Sequence, residues 1–528
     1  MTDSDDLPWP ADPRDEPQPT NGHDNSTTDI TVTDGERHKA ADEGIAALQT
    51  KLDLMNDQYF VAVDGGKVWV IKSRPDPIFA GRRVLDRFSF ADFSKLYMNE
   101  WVEVVTADGK IENKSLPAWW LHRRHRRQYL GGIILDPTGT PDGYYNLWRG
   151  FACEPIAGSW DKLKNHIHEI ICAGNKILFE YLLDWIARLF QQPSLPGEVA
   201  IVLKGEEGSG KGILCRAVID ILGQHGLHIT TPTHLVGRFN SHLRDCIALF
   251  ADEAFFAGDR QHVGVLKALI TEPSIAIEGK GRDVVVVKNL LHVMMASNED
   301  WVIPAGPAAR RYAVFAVSEA RLNDYPYFKN IQAELDAGGR EAMLHELLNR
   351  DISRFEVRDV PVTEGLREQK ALSLDSLGQW WQAVLSREFL FKSRYGTPWF
   401  ADWHDFYTTE LLFNSYTQFC AAAKPYKVQS RELLGLFMSK LHQNARASGP
   451  GDPVGEIDSI DRAPVPVNNP NGSVSMVRPG LDDLDEIAIM RSKIRAHGYR
   501  VGDIDKARAR FAKVFGVRAV RAGGELSD

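Results

Sequence analysis

At 528 residues the chain is long enough for two to four domains, and its formal net charge is −9. No stretch approaches ~18 uninterrupted apolar residues and the first residues are acidic and proline-rich, so neither a membrane-spanning helix nor a secretory signal is expected. Five cysteines lie far apart with no C-x-x-C pair, which argues against a disulfide framework or zinc site and for a reducing cytoplasm.

Residues 1–45 hold twelve acids against three bases, so the rest of the chain is formally neutral. This acidic, weakly hydrophobic segment is expected to be a disordered tail, and affinity for nucleic acid has to come from local basic clusters. Residues 46–157 mix short β-like runs with turn signals and are expected to form an α+β N-terminal domain. Within it, Trp119 and Trp120 precede the densest basic run, which includes Arg123, Arg124, Arg126 and Arg127. The aromatics could stack on bases or simply pack in a core. Residues 158–197 read as a helical collar, in which His166 and His168 lack matching partners and are taken as structural. Residues 198–320 alternate strand and helix patterns, which marks an α/β nucleotide-binding core. Residues 321–400 read as a helical lid or linker. Residues 401–528 read as a winged-helix-like region with a Pro/Gly-rich insertion at 447–481 and a last helical segment at 482–516. There Leu433, Leu436 and Phe437 look core-facing, and Lys424, Lys427 and Arg431 are candidate DNA contacts.

The core opens on an apolar run, 199–203, followed by Gly-Glu-Glu-Gly-Ser-Gly-Lys-Gly at 205–212. Gly205, Gly208, Ser209, Gly210, Lys211 and Gly212 make a phosphate-binding loop. Its backbone N–H groups turn inward, Lys211 reaches the β- and γ-phosphates, and the next helix offers its positive end. ATP is the expected nucleotide. The last position normally carries a hydroxyl that holds Mg²⁺, and here it is Gly212.

About 40 residues later the apolar run 246–251 ends in Asp252 and Glu253, suited to hold Mg²⁺ and to polarise the attacking water. The run 290–297 ends in Asn298, placed to sense the γ-phosphate at a parallel sheet's C-terminal edge. Arg310 and Arg311 precede another strand-like run, and either one is a candidate arginine finger. Between them two β-runs flank 279–282, a hairpin whose tip residues Lys280 and Arg282 are candidate contacts to a nucleic-acid backbone.

The ordered set GEEGSGKG, ALFADEA, IEGKGRDVVVVKN, VMMASN and PAARRY resembles superfamily 3 helicases, compact AAA+ motors of viruses, phages and mobile elements. The likeness is to the phage and prophage primase-helicase type. It extends through LPAWWLHRRHRRQYLGGIILDP (116–137), YYNLWRGFACEP (144–155) and TTELLFNSYTQFC (408–420), about three quarters of the chain. The resemblance implies a ring, usually hexameric, that hydrolyses ATP between subunits while its hairpins track single-stranded DNA in the cytoplasm of a bacterial host. Two departures stand out. Gly212 leaves Mg²⁺ to Asp252, water, the phosphates or Ser209. No acidic-plus-histidine metal site marks a primase-polymerase domain, so primer synthesis would fall to a separate primase or polymerase. The alternatives are an ATP-switched replication initiator with little unwinding, or a packaging or RNA-directed motor.

Overall fold

The computed structural model describes residues 34–78, 81–106, 110–253, 263–281, 283–303, 309–388, 390–392, 398–399, 403–424, 427–446, 465–468, 474–477 and 497–519. Tail residues 1–33, Arg282 and most of the predicted insertion lie outside the described residues. The chain divides into two units, one built from the residues up to Tyr59 with Ala91–Arg127, the other from Phe60–Phe90 with the chain from Gln128 onward.

The first unit carries a long helix, Asp34–Gln58, a short helix, Phe90–Leu96, a hairpin of Trp101–Val105 with Ile111–Ser115, and the helix Leu116–Leu121. Residues 34–45, expected in the disordered tail, are helical instead. A run rich in Ala, Glu and Leu favours the helix, and buried Leu52 and Met55 hold its far end. Tyr59, Phe93 and Trp120 fill the unit's core, with Phe93 lying 5.1 Å from Tyr59 and 5.6 Å from Trp120 between ring centroids. Trp119 and Trp120 are therefore packing residues rather than stacking platforms. Trp120 Nε1 donates to Asn56 Oδ1 at 3.0 Å, and Arg127 N donates to the same oxygen at 2.8 Å. This draws the basic run back onto the long helix.

The stretch 46–157, expected as one α+β domain, is divided between the two units. Its strand Tyr59–Asp64 pairs in parallel with Gln128–Tyr129, in a sheet that also holds Lys67–Pro75 and Arg83–Phe88. A parallel pair needs a long crossover, and residues 91–127 of the first unit are that crossover.

The second unit is organised by a parallel sheet of β1 (Ala200–Lys204), β2 (Gly226–Ile229), β3 (Ala248–Asp252), β6 (His292–Ser297) and β7 (Tyr312–Ala316). An antiparallel hairpin of β4 (Ser274–Ile277) and β5 (Val285–Lys288) lies between β3 and β6 in sequence. The spatial order is β2-β3-β6-β1-β7. Alternate residues serve opposite faces. Ile201, Leu203, Phe250, Met294 and Phe315 meet Leu214, Val218 and Ile221 of helix α1 (Lys211–Leu222). Val202, Leu249, Val293 and Val314 meet Leu266, Leu269 and Ile270 of helix α2 (Val263–Thr271). Burial on both faces explains why these strands read as continuous apolar runs, and each such side chain contributes about 2 kcal/mol.

Downstream, Phe406–Thr408, His497–Arg500 and Gln443–Arg446 form a three-stranded antiparallel sheet beside helices Thr409–Ala423 and Arg431–Leu441. The latter helix buries Leu434, Phe437, Met438 and Leu441, a stripe at i, i+3, i+4 and i+7. Leu433 and Leu436, expected in the core, point away and are 44% and 63% exposed. Of the expected last helical segment, 482–496 lie outside the described residues, His497–Arg500 are a strand, and a helix spans Ile504–Phe515, starting where Asp503 accepts from Asp505 N at 2.9 Å. No helix of the described residues is long and apolar enough to cross a membrane.

Candidate nucleotide-binding site

Strand β1 is buried through Leu203, and the chain then leaves the C-terminal edge of the sheet as the loop 205–210 before entering α1. Gly208 and Gly210 have φ of 82° and 88°, the left-handed region that an L side chain rarely adopts. A Cβ on Gly210 would also lie 2.4 Å from Phe328 and 2.7 Å from His166. Both glycines are thus required by the turn and by what packs behind it.

Glu207, Lys211, Arg216, Asp252, Glu253 and Phe328 line a cavity of about 530 Å³. Burial lowers the pKa of Lys211, with Glu253 and Asp252 opposing the shift. Its Nζ donates to Gly205 O at 2.5 Å and Glu206 O at 2.8 Å, so the ammonium lies over the loop's own carbonyls. Asp252 ends β3, and its Oδ2 lies 3.5 Å from His228 Nε2. Glu253 follows with φ 53°, strained for a non-glycine residue, and its N donates to Ala296 O of β6 at 2.9 Å. That conformation turns its exposed carboxylate into the same cavity.

Two loop residues depart from expectation. Ser209 is fully buried, and its hydroxyl has no hydrogen-bond partner among the described residues. It is not among the residues that line the cavity. Gly212 leaves open the space that a hydroxyl side chain would use, and Arg216 occupies it. An added Cβ at 212 would stand 2.6 Å from one guanidinium nitrogen of Arg216 and 3.1 Å from its Cζ. Spacing of four residues stacks the two positions on one helix face, and the long side chain leans back toward the helix N-terminus. Arg216 has no carboxylate partner among the described residues.

Asn298 directly follows β6 and is exposed, with Ser297 O accepting from Gly205 N at 3.2 Å. It lies beside the loop's start, outside the residues that line the cavity. Arg310 and Arg311 sit at the opposite edge of the sheet. Tyr312 pairs with Ala200, so a five-residue strand, about 17 Å, separates them from the glycine loop 205–210 of their own chain. The two differ: Arg311 is half-buried with Nε 3.3 Å from Thr271 Oγ1, and Arg310 is exposed. On the hairpin, Ile277 pairs with Val285 and Lys280 is exposed at the turn. Asn240 braces its base, donating to Ala276 O at 2.8 Å and accepting from Glu278 N at 2.7 Å.

Sequence reasoning missed Arg216 and Phe328, and it took His166 as structural without linking it to the loop. The four-residue spacing from Gly212 was a usable signal for Arg216. Nothing local marked the other two, which reach the loop from distant segments. His166 is fully buried behind the loop. Its Nε2 lies 3.3 Å from Gly210 O and its Nδ1 3.2 Å from Tyr327 Oη, and burial holds its pKa down at about 4. The ring is therefore neutral near pH 7, with Nε2–H donating to the loop carbonyl. Asn323, with φ 58°, donates its N–H to Gly208 O at 3.1 Å and closes the loop's outer side. No group of three or more potential metal ligands occurs among the described residues. A Mg²⁺ held by one carboxylate, water and substrate oxygens fits this donor set, because that ion commonly keeps most of its waters.

Residues 203–311, from the end of β1 through the arginine pair, match the family of unknown function DUF5906. A 197-residue stretch is 23% identical to the DNA primase-polymerase of Nitratiruptor phage NrS-1, covering 35% of this chain and 27% of that protein. The match thus spans about a quarter of that relative's length. Among solved structures, the apo NrS-1 C-terminal region is 17% identical over 62% of this chain and 75% of that one, with a TM-score of 0.48. Its A form gives 19% identity over 65% and 78%, with a TM-score of 0.46. Over about a third of its length, the chain is similar in sequence to a phage primase-polymerase.

Proposed function

We propose that this chain is an ATP-hydrolysing DNA motor of the superfamily 3 kind, acting on single-stranded DNA in phage or mobile-element replication. The observation that carries the reading is the convergence of Lys211, Asp252 and Glu253 on one cavity at the C-terminal edge of a parallel sheet. Sequence similarity to a phage DNA primase-polymerase supports the replicative setting.

In this reading the loop's N–H groups and the N-terminus of α1 surround the phosphates. Lys211 exchanges the carbonyls of Gly205 and Glu206 for β- and γ-phosphate oxygens. Arg216 adds a second cation from the space above Gly212. Mg²⁺ bound at Asp252 would neutralise charge on the triphosphate. Glu253 orients the attacking water and takes its proton, held in place by its strained backbone and its bond to β6. Asn298 senses the γ-phosphate from the end of β6. Arg310 is the finger and acts on a neighbouring subunit's nucleotide, as in a hexameric ring, a reading supported by its distance from its own chain's loop. Arg311, tied to Thr271, leaves that role to its neighbour. Lys280 grips the strand at the hairpin turn, and a separate primase or polymerase supplies primers.

The test is ATP hydrolysis with and without single-stranded DNA, comparing wild type with Lys211→Ala and Glu253→Gln. DNA-stimulated turnover that both substitutions abolish is expected. A wild-type protein without hydrolysis overturns the motor. Stimulated hydrolysis without fork unwinding makes the protein an ATP-switched initiator instead.

A further inference from the structure

A second cavity, of about 340 Å³, lies in the second unit away from the phosphate loop. Its walls come from the turn after strand Tyr59–Asp64, the strand Arg83–Phe88, the segment 145–149, the segment 241–245 and the base of the β4–β5 hairpin. Six of its lining side chains are Lys or Arg and three are Asp. The acids are already engaged. Asp64 is shared by Arg87 at 2.8 Å and Arg244 at 2.7 Å, so one buried carboxylate meets two guanidinium groups. Asp283 pairs with Lys67 at 3.3 Å, and Asp245 accepts from Gln224 Nε2 at 3.3 Å.

Two cations are left over. The Arg83 guanidinium donates to Ser73, at 2.8 Å to its carbonyl and 3.0 Å to its hydroxyl. Arg149 donates to the Tyr145 hydroxyl and lies over that ring at 5.1 Å. Neither has a carboxylate partner among the described residues, and both are exposed at the cavity. Arg244 Nε is buried without a hydrogen-bond partner among the described residues. These arginines are held by neutral oxygens and by one overcommitted acid, so they converge on a concave surface with unspent donors. Guanidinium groups match phosphate oxygens in forked pairs, which selects a phosphate over a compact monovalent anion. The volume falls within the range of small-ligand sites, and the hairpin carrying Lys280 forms one wall.

We propose that this arginine cleft is a phosphate-binding site for a nucleotide, distinct from the phosphate loop, with Arg83 and Arg149 as its contacts. The source is a nucleotide within a strand held by the hairpin or a free nucleotide. Only the first source rests on the motor reading.

The experiment compares wild type with Arg83→Ala/Arg149→Ala, whose exposed positions leave the core intact. Anisotropy of a fluorescein-labelled 20-mer of oligo-dT is followed across a salt series. Retention of dTMP is measured by equilibrium dialysis in a Lys211→Ala background, which removes the phosphate loop's contribution. Loss of two phosphate contacts makes strand binding at least tenfold weaker and the log–log salt slope shallower by roughly 1.4, while DNA-free ATP hydrolysis is unchanged. Lost dTMP retention with unchanged strand binding supports the cleft and assigns it to free nucleotide. Unchanged strand binding together with unchanged dTMP retention overturns the proposal. A protein that hydrolyses no ATP yet shows either loss keeps the cleft and discards the motor.

Discussion

The parallel sheet and the helix Arg431–Leu441 were read from the same kind of signal, apolar periodicity, with different success. In β1, β3 and β6 the apolar runs are buried on both faces, so no choice of face was needed. In the helix the apolar residues wrap more than one face, and only the packing partner selects the stripe. The core took Leu434, Phe437, Met438 and Leu441 and left Leu433 and Leu436 outside. A two-sided strand carries its own environment in its composition, whereas a one-sided helix needs its neighbour to be known.

Substitutions in the two elements test this contrast. Phe250→Ala in β3 removes a fully buried ring and is expected to cost about 3–5 kcal/mol in urea unfolding. Lys211→Ala, at the edge of the same sheet, leaves the core packed and lowers ATP turnover on the order of 10²–10³-fold, which steady-state kinetics would read. If turnover survives, the cavity is not the site of hydrolysis.

Acid should act on the core through His166. Its pKa falls from 6.5 unfolded to about 4 folded because burial disfavours the charged ring. The folded state then binds fewer protons, so this stability is complete above pH 6.5 and is lost as pH falls toward about 4, up to about 3 kcal/mol. His166→Gln should flatten the pH dependence of the unfolding midpoint in that window, and an unchanged slope would count against a buried neutral ring.

Smaller effects follow. Arg216→Ala is expected to weaken nucleotide binding about tenfold in EDTA, as for loss of one charge-assisted contact. Gly212→Ser should produce a similar loss by displacing the guanidinium, and no effect from either would remove Arg216 from the site. Leu436→Ala, at an exposed position, should shift stability by less than about 0.5 kcal/mol, against about 2–5 kcal/mol for the buried Leu434→Ala two residues away.

Much of the candidate site was legible because its parts are local. Gly208, Gly210 and Lys211 sit within four residues, and Asp252 and Glu253 are adjacent at a strand end, so spacing alone announced them. Other assignments needed the third dimension. Trp119 and Trp120 beside a basic run resemble a stacking platform until both are seen to be buried, with Asn56 and Phe93 against Trp120. The full burial of the Ser209 hydroxyl likewise cannot be read from the loop's spacing. The arginine cleft draws on segments near residues 65, 85, 147, 243 and 280, and no linear pattern connects them.

The sequence determined the strand and helix alternation from 200 to 271, which does not extend through the run of four strands that follows it, together with the turn chemistry of the glycine loop 205–210 and the acidic end of β3, because these depend on contacts within a few residues. Tertiary structure alone decided three things: the order β2-β3-β6-β1-β7, the separation of Arg310 from its own chain's phosphate loop, and the residues behind and above that loop. Those depend on which distant segments share a face, and burial selects that only when the whole chain packs.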